Sequence, residues 1–217
     1  MSIGSTIRNQ LVDSPTSLAE RFRLRRWENL SATYPDLAEM HVIDLGGTVS
    51  AWQRAPIRPR RVTVLTFEPE GEQVDGIEAR YADACALPAE LRDLRADLVY
   101  SNAVLEHVGG AERRQRFAET VHSLADRHWI QTPYRYFPIE PHWLFPGFQF
   151  LPVAARVAIG RRWKLVHTPT QDAASMTSSV LSVELVGVTE LRHLFPQSEV
   201  RRERFVALTK SIIAVKT

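Results

Sequence analysis

The sequence predicts an α/β fold in which a parallel sheet carries helices on both faces. Five short apolar runs, at 42–45, 62–67, 77–81, 97–101 and 128–131, each have strand length and end in turn residues. Stretches of helical spacing lie between several of them, and strands alternating with helices build a parallel sheet. Polar and glycine-rich residues gather at the ends of these runs, where open parallel sheets bind ligands.

The elements follow in chain order. Residues 1–16 are polar, end in Ser14-Pro15 and read as a loose arm. Residues 17–33 read as a helix: Ser17 can cap it, Glu20 stands three residues on, and Leu18, Phe22, Trp27 and Leu30 form an apolar stripe. Arg21, Arg23, Arg25 and Arg26 are expected on its solvated side, and Pro35 stops it. Residues 48–54 give about two helical turns before Pro56 and Pro59. The stretch 68–76 is short for a crossover helix and is expected to be irregular. A short helix is expected over 87–94 and a longer one over 112–124, with Phe117, Val121 and Leu124 on one side.

The pattern breaks after the fifth run. Residues 132–177 show no clean period, carry six prolines, and hold Tyr134, Tyr136, Phe137, Trp143, Phe145, Phe148 and Phe150. Long irregular segments inside compact domains are commonly lids or binding loops. Regular structure resumes with a helix over 188–194 ended by Pro196, then strands over 199–206 and 211–216 joined by a turn near Thr209-Lys210. The chain is expected to form one domain: an arm and helix over 1–35, a ligand-binding core over 40–132, a lid insertion over 133–177, and a closing helix and strands over 178–217.

Composition narrows the function. The chain has 217 residues, enough to bury a core without disulfides or metals. Its net charge is +2, so no global field demands nucleic acid. The basic residues are almost all Arg, with Lys only at Lys164, Lys210 and Lys216, and they are scattered along the chain among acids. Arg58-Arg60-Arg61, Arg113-Arg114-Arg116 and Arg201-Arg202-Arg204 are expected on solvated faces, and nucleic acid is an unlikely partner. Cys85 is the only cysteine, which excludes an internal disulfide and a cysteine-based zinc site. Residues 1–30 lack a signal-peptide core and no apolar run reaches spanning length, so a cytoplasmic location is expected.

The chemistry sits at the strand ends. The first strand runs into Asp44-Leu45-Gly46-Gly47-Thr48, and glycines there let backbone approach a ligand closely. The dinucleotide fingerprint G-x-G-x-x-G and the phosphate loop with Gly-Lys-Ser or Gly-Lys-Thr are both absent. The second strand closes at Thr66-Phe67-Glu68, with Glu68 at the distance from Asp44 where an acid accepts bonds from ribose hydroxyls. Tyr81-Ala82-Asp83-Ala84 follows the third strand; an Asp there can accept from an adenine amino group while a small neighbour leaves room for the ring. The stretch Asp97-Leu98-Val99-Tyr100-Ser101-Asn102-Ala103-Val104-Leu105-Glu106-His107-Val108 closes the fourth strand.

Over residues 40–132 these motifs resemble the class I S-adenosylmethionine-dependent methyltransferases, of the broad type 11 group. The segment from Asp97 to Val108 carries most of the likeness, with Ala82-Asp83-Ala84 and Leu87-Pro88 beside it and Lys210-Ser211-Ile212-Ile213-Ala214-Val215 as the closing strand. The resemblance implies a Rossmann-like doubly wound sheet of seven strands in order 3-2-1-4-5-7-6, the seventh antiparallel. It implies S-adenosyl-L-methionine as cofactor. Asp44, Gly46, Gly47 and Thr48 would then hold the methionine end and ribose, Glu68 the ribose hydroxyls, Asp83 and Ala84 the adenine, and Ser101 and Asn102 the methionine side. Two departures stand out. Thr48 and Ser50 occupy positions where the family's later glycines are expected, and an alternative register puts Thr66 rather than Glu68 at the ribose.

The acceptor side offers His107, Glu140 and His142 as catalytic candidates, since a hydroxyl acceptor must lose a proton and histidine suits that near neutral pH. The same three could hold a divalent ion, but the spacing is weak evidence and no metal is expected. Their bland readings are a helix-entry contact for His107 and a loop-stabilising bond for Glu140 and His142. The aromatic segment suits an apolar or glycan-like acceptor pocket, a satellite core, or shallow membrane contact through Trp143, Phe145, Phe148 and Phe150 beside Arg156, Arg161, Arg162 and Lys164. The expected function is O-methylation of a small molecule or a glycan or lipid intermediate. The competing reading is a catalytically inert methyltransferase-like binding or scaffold protein.

Overall fold

The computed structural model describes residues 18–68, 74–163, 165, 170 and 172–217. The expected arm over 1–16, the Ser17 cap and most of the 68–76 connection lie outside the described residues, as does Lys164.

Five parallel strands form the spine: β1 (His41–Leu45), β2 (Arg61–Thr66), β3 (Ile77–Tyr81), β4 (Leu98–Asn102) and β5 (His128–Pro133). A separate hairpin pairs β6 (Ile139–Glu140) with β7 (Phe145–Pro146). The chain closes with β8 (Glu199–Phe205) and β9 (Leu208–Lys216), and β9 lies antiparallel between β5 and β8. The large sheet has seven strands in the order β3-β2-β1-β4-β5-β9-β8. The expectation held seven strands; the separate hairpin raises the number to nine among the described residues, so the closing pair is eighth and ninth. The direction of winding reverses between β1 and β4, which opens a crevice at their carboxyl ends.

Both faces of the sheet are buried, so strand residues alternate between two cores rather than between core and water. Val42, Val62, Val64, Leu98 and Trp129 face a cluster with Leu30, Tyr34 and Trp52 from α1 (Leu18–Thr33), its following turn and α2 (Val49–Gln53). Ile43, Leu45, Val99 and Ile130 face Phe117, Val121 and Leu124 of α3 (Ala111–Leu124). The strand β9 shows the same period of two, with Ile212 and Ala214 in one cluster and Ile213 and Val215 in the other. Tyr34 locks the base of the sheet by donating its hydroxyl to the His128 and Lys216 carbonyls at 2.8 and 3.0 Å.

Several expectations need correction. The 87–94 segment forms a single 3-10 turn at Ala89–Leu91, because so short a stretch cannot repay helix nucleation. The closing hairpin turns at Val206-Ala207, with Val206 at φ 54°, not at Thr209-Lys210. A two-residue hairpin needs a left-handed residue, and a bulge between Glu203 and Arg204 absorbs the shifted register. Arg26 is not solvated: it pairs with Glu203 at 2.9 Å. Arg114 is buried and bridges Glu184 and Glu190.

The segment after β5 is more regular than its composition suggests. It holds the β6–β7 hairpin, a 3-10 turn at Phe148–Phe150, α4 (Val153–Gly160) and α5 (Ala173–Leu181). Pro152 marks the start of α4, and Asp172 caps α5 by accepting from the Ser175 N–H at 2.7 Å. Trp143, Phe148, Met176 and Val180 bury one another in a separate small core. Of the four aromatics considered for membrane contact, only Phe150 is exposed, which removes the apolar face such contact needs. No helix among the described residues is long and apolar enough to cross a membrane. The last helix, α6 (Val188–Leu194), packs Leu191 and Leu194 against the α3 side of the sheet.

Candidate active site

The crevice is built around the turn after β1. The Gly46 N–H donates to the Leu65 carbonyl at 2.8 Å, so the β1–β2 pairing runs one residue past the strand. Gly46 then turns at φ 79°, and a Cβ there would stand 2.7 Å from both Val104 methyls. A Cβ on Gly47 would overlap the Asp44 carboxylate. Both glycines are therefore required by close approach inside the turn. Thr48 caps α2 by accepting from the Ala51 N–H at 3.2 Å.

Asp44 lies beneath this turn and is buried. Its Oδ2 accepts from the Trp52 indole N–H at 2.7 Å, while its Oδ1 has no partner. Burial pushes its pKa up to about 7, and the Trp52 hydrogen bond opposes that rise.

Two cavities meet at Gly46. One, of about 610 Å³, is lined by Asp44, Gly47 and Thr48 together with Trp27, Tyr100 and Asn102. The other, of about 400 Å³, is lined by Thr66, Glu68, Asp83, Ala84, Val104 and His107. The strand-end residues picked from the sequence thus fall on one groove with the glycine turn at its waist. Ser101 is the exception. It is fully buried and donates to the Leu45 carbonyl at 2.9 Å, bracing β1 against β4 below the groove. Thr66 and Glu68 line the same cavity, so the choice of register at the ribose stays open.

Arginines that sequence reasoning placed in solvent reach both cavities. Arg113 lines the smaller one and donates to both Asp83 oxygens at 2.9 Å. Arg26 lines the larger one and donates to Asn102 Oδ1 at 3.0 Å while it holds Glu203. The partner Glu203 is 177 residues away, and no local pattern links the two.

The loop after β4 turns at Ala103, which sits at φ 57°. A non-glycine residue in that region costs on the order of 1–3 kcal/mol and persists where its surroundings impose it. The Ala103 N–H is held by the Gln131 carbonyl at 3.0 Å, and Leu105 is fully buried. The turn sends Glu106 inward and His107 toward the cavity. Glu106 Oε2 accepts from the Thr132 hydroxyl at 2.9 Å, and Oε1 is buried without a partner. Burial pushes this carboxyl up to about 7.

The hairpin β6–β7 brings the other candidates to the same place. Glu140 is buried; its Oε2 accepts from the Trp143 N–H at 2.8 Å and its Oε1 lies 2.7 Å from His142 Nδ1. His142 Nε2 in turn lies 3.1 Å from His107 Nε2. His107, His142 and Glu140 therefore form one chain of contacts across 35 residues of sequence. Burial disfavours the charged form of both rings. His107 is held below the usual imidazole range by burial and then by its histidine neighbour, whereas Glu140 more than offsets burial at His142 and raises it. Glu106, next to His107, was missed because only the left-handed Ala103 turn aims it inward.

No family model matches the sequence, and no curated protein does. Solved structures share the fold. An S-adenosylmethionine-dependent methyltransferase from Mesorhizobium loti is 18% identical, with a TM-score of 0.52 over 88% of this chain and 96% of that one. A 1,6-didemethyltoxoflavin N1-methyltransferase from Burkholderia thailandensis, bound to S-adenosylhomocysteine, is 12% identical with a TM-score of 0.54 over 99% and 87%. A chain from Rhodobacter sphaeroides described as a zinc-dependent alcohol dehydrogenase is 12% identical with a TM-score of 0.58 over 88% and 87%. At these identities the likeness is one of fold: a Rossmann-like α/β sheet of the kind found in class I methyltransferases.

Proposed function

We propose that the chain is an S-adenosyl-L-methionine-dependent methyltransferase, of the type 11 group, that methylates a hydroxyl of a small molecule or a glycan or lipid intermediate. The observation that carries this reading is the two-part groove at Gly46, with unpartnered Asp44 Oδ1 on one side, Glu68 and Asp83 on the other, and His107 at its wall.

The residues present fit the cofactor. Asp44 Oδ1 is a buried acceptor that an ammonium group would satisfy, and Gly46 lines both cavities. Asp83 keeps acceptor capacity beyond its Arg113 and Cys85 bonds, because a carboxylate has about four lone-pair sites. It would meet the adenine amino group beside small Ala84. Glu68, exposed at the rim, would accept from the ribose hydroxyls, and Thr48 and Asn102 would line the methionine side with Ser101 beneath them.

When bound, S-adenosylmethionine supplies a methyl group on a positively charged sulfur that departs as a neutral thioether. The protein's part is alignment and proton removal. His107 stands at the wall of the cavity, and with no ion bound its ring would take the hydroxyl proton. His142 backs it, and Glu140 fixes the orientation of His142. The Trp143–Phe148 core holds the Glu140 hairpin in place.

The test is a thermal melt with S-adenosylmethionine or S-adenosylhomocysteine, with NADH as control. Ligand at 100 times its dissociation constant adds about 2.7 kcal/mol, which for a chain of this size is a rise of roughly 5–11 °C. A rise with the sulfonium pair alone supports the reading. Asp83→Ala should then cut that affinity several-fold while the ligand-free melt holds, since its half-exposed ion pair is worth only about 0–1 kcal/mol. No rise at millimolar ligand would favour an inert scaffold.

A further inference from the structure

Glu106, His107 and His142 present one carboxylate and two imidazoles whose donor atoms all lie within 4.8 Å of one another. The two imidazole Nε2 atoms face each other at 3.1 Å. Ligand atoms about 2.0–2.1 Å from a tetrahedral ion stand about 3.3 Å apart, so this spacing suits two rings sharing one ion.

Proton positions point the same way. A carboxylate only accepts, so in its neutral form His142 bonded to Glu140 carries its proton on Nδ1 and presents the Nε2 lone pair to His107. A cation between the rings satisfies both nitrogens at once.

Glu106 supplies the third and independent sign. The residue is 1% exposed, its Oε2 is bonded to Thr132, and its Oε1 is buried with nothing to accept from. A bare carboxylate oxygen in such a place costs free energy unless something positive meets it.

We propose that Glu106, His107 and His142 bind a divalent transition-metal ion of the zinc class, with Glu140 orienting His142 from outside the ligand set. Two imidazoles and one carboxylate suit zinc, cobalt, iron or manganese, whereas magnesium and calcium favour all-oxygen shells. Three protein ligands leave a fourth position, the pattern of catalytic rather than structural sites. His107 also lines the 400 Å³ cavity, which puts one of the three ligands on the wall of the groove. An ion there would ease loss of the proton from a bound hydroxyl, in place of a free imidazole base. That role rests on the methyltransferase reading; the binding of the ion does not.

The experiment uses the full chain, stripped with a chelator and titrated with Co²⁺ alone, without cofactor. The expected result is one Co²⁺ per chain, visible ligand-field bands and displacement by Zn²⁺. Glu140→Gln, acting through His142, should weaken uptake by about 10–100-fold, and Glu106→Gln and His107→Gln should weaken it further. His193→Gln, at an exposed histidine, should leave it unchanged. Failure of a natively folded chain to take up millimolar Co²⁺, or uptake that survives Glu106→Gln and His107→Gln, would overturn the proposal. Should His107→Gln fail to fold, Glu106→Gln decides, since it preserves side-chain size and leaves Thr132 a partner. Ion uptake without any melt shift from S-adenosylmethionine would sink the cofactor reading and leave this one standing; the reverse pattern would sink this one alone.

Discussion

At Gly47 one added atom would collide with the acid beneath the turn. A Cβ there would occupy the space of the Asp44 carboxylate, which is buried and held by the Trp52 indole. Gly47→Ala must therefore push Asp44 off its bond or distort the turn, at a cost of about 1–3 kcal/mol. The expected outcome is a lowered melt together with lost response to S-adenosylhomocysteine. A variant with native melt and native response would show that Asp44 is not held as described. The local motif was readable because a strand end, an acid and two glycines are adjacent in sequence. Glu106 was not, since its inward aim comes from Ala103 at φ 57°, a conformation that alanine does not announce.

The lid is an element with its own core. Trp143 stacks on Phe148 at 4.6 Å, and Gly160 lets Met176 and Trp143 close over α4 with a built Cβ only 2.6 Å from the methionine sulfur. Its sequence looked irregular because prolines and aromatics hide the helical period, yet Pro152 and Asp172 sit at helix starts where such residues belong. The aromatics read as an acceptor wall turn largely inward, and only Tyr136 and Phe150 show large exposed rings. Trp143→Ala removes a buried ring worth about 3–5 kcal/mol, more than so small a cluster can absorb. Hydrogen exchange should accelerate over 139–181 while 41–45 and 212–215 keep their protection. Because this packing positions the Trp143 backbone N–H that Glu140 accepts from, the proposed methyl transfer should fall as well, with cofactor binding retained. Equal loss of protection in the sheet would mean that lid and sheet unfold as one unit.

Across the whole molecule, the alternation of apolar runs and helices made the sheet legible, since period and run length survive without knowledge of contacts. Long-range charge pairing did not, because Arg26–Glu203 and Arg114–Glu184 join segments with no shared pattern. His128 belongs to this second kind. It opens β5, is fully buried, and bonds through Nε2 to Ser198 Oγ at 2.6 Å, while Nδ1 has no partner. The rings of His122 and Phe195 pack on it at 5.5 and 5.2 Å. Burial, then the charges of His122 and Lys216, push its pKa down to about 3. The folded ring therefore stays neutral where the unfolded chain, with an ordinary value near 6.5, takes up a proton. Between those two values the unfolded state binds more protons, so stability falls as the pH falls. This one group contributes a slope approaching about 1.4 kcal/mol per pH unit. Urea unfolding of the native chain and of His128→Gln, compared at pH 8, 6 and 5, should show the two curves converging toward acid. The variant loses its ring packing at every pH but escapes the protonation penalty. Parallel curves across that range would mean that the buried imidazole is not the group that couples the sheet to acid.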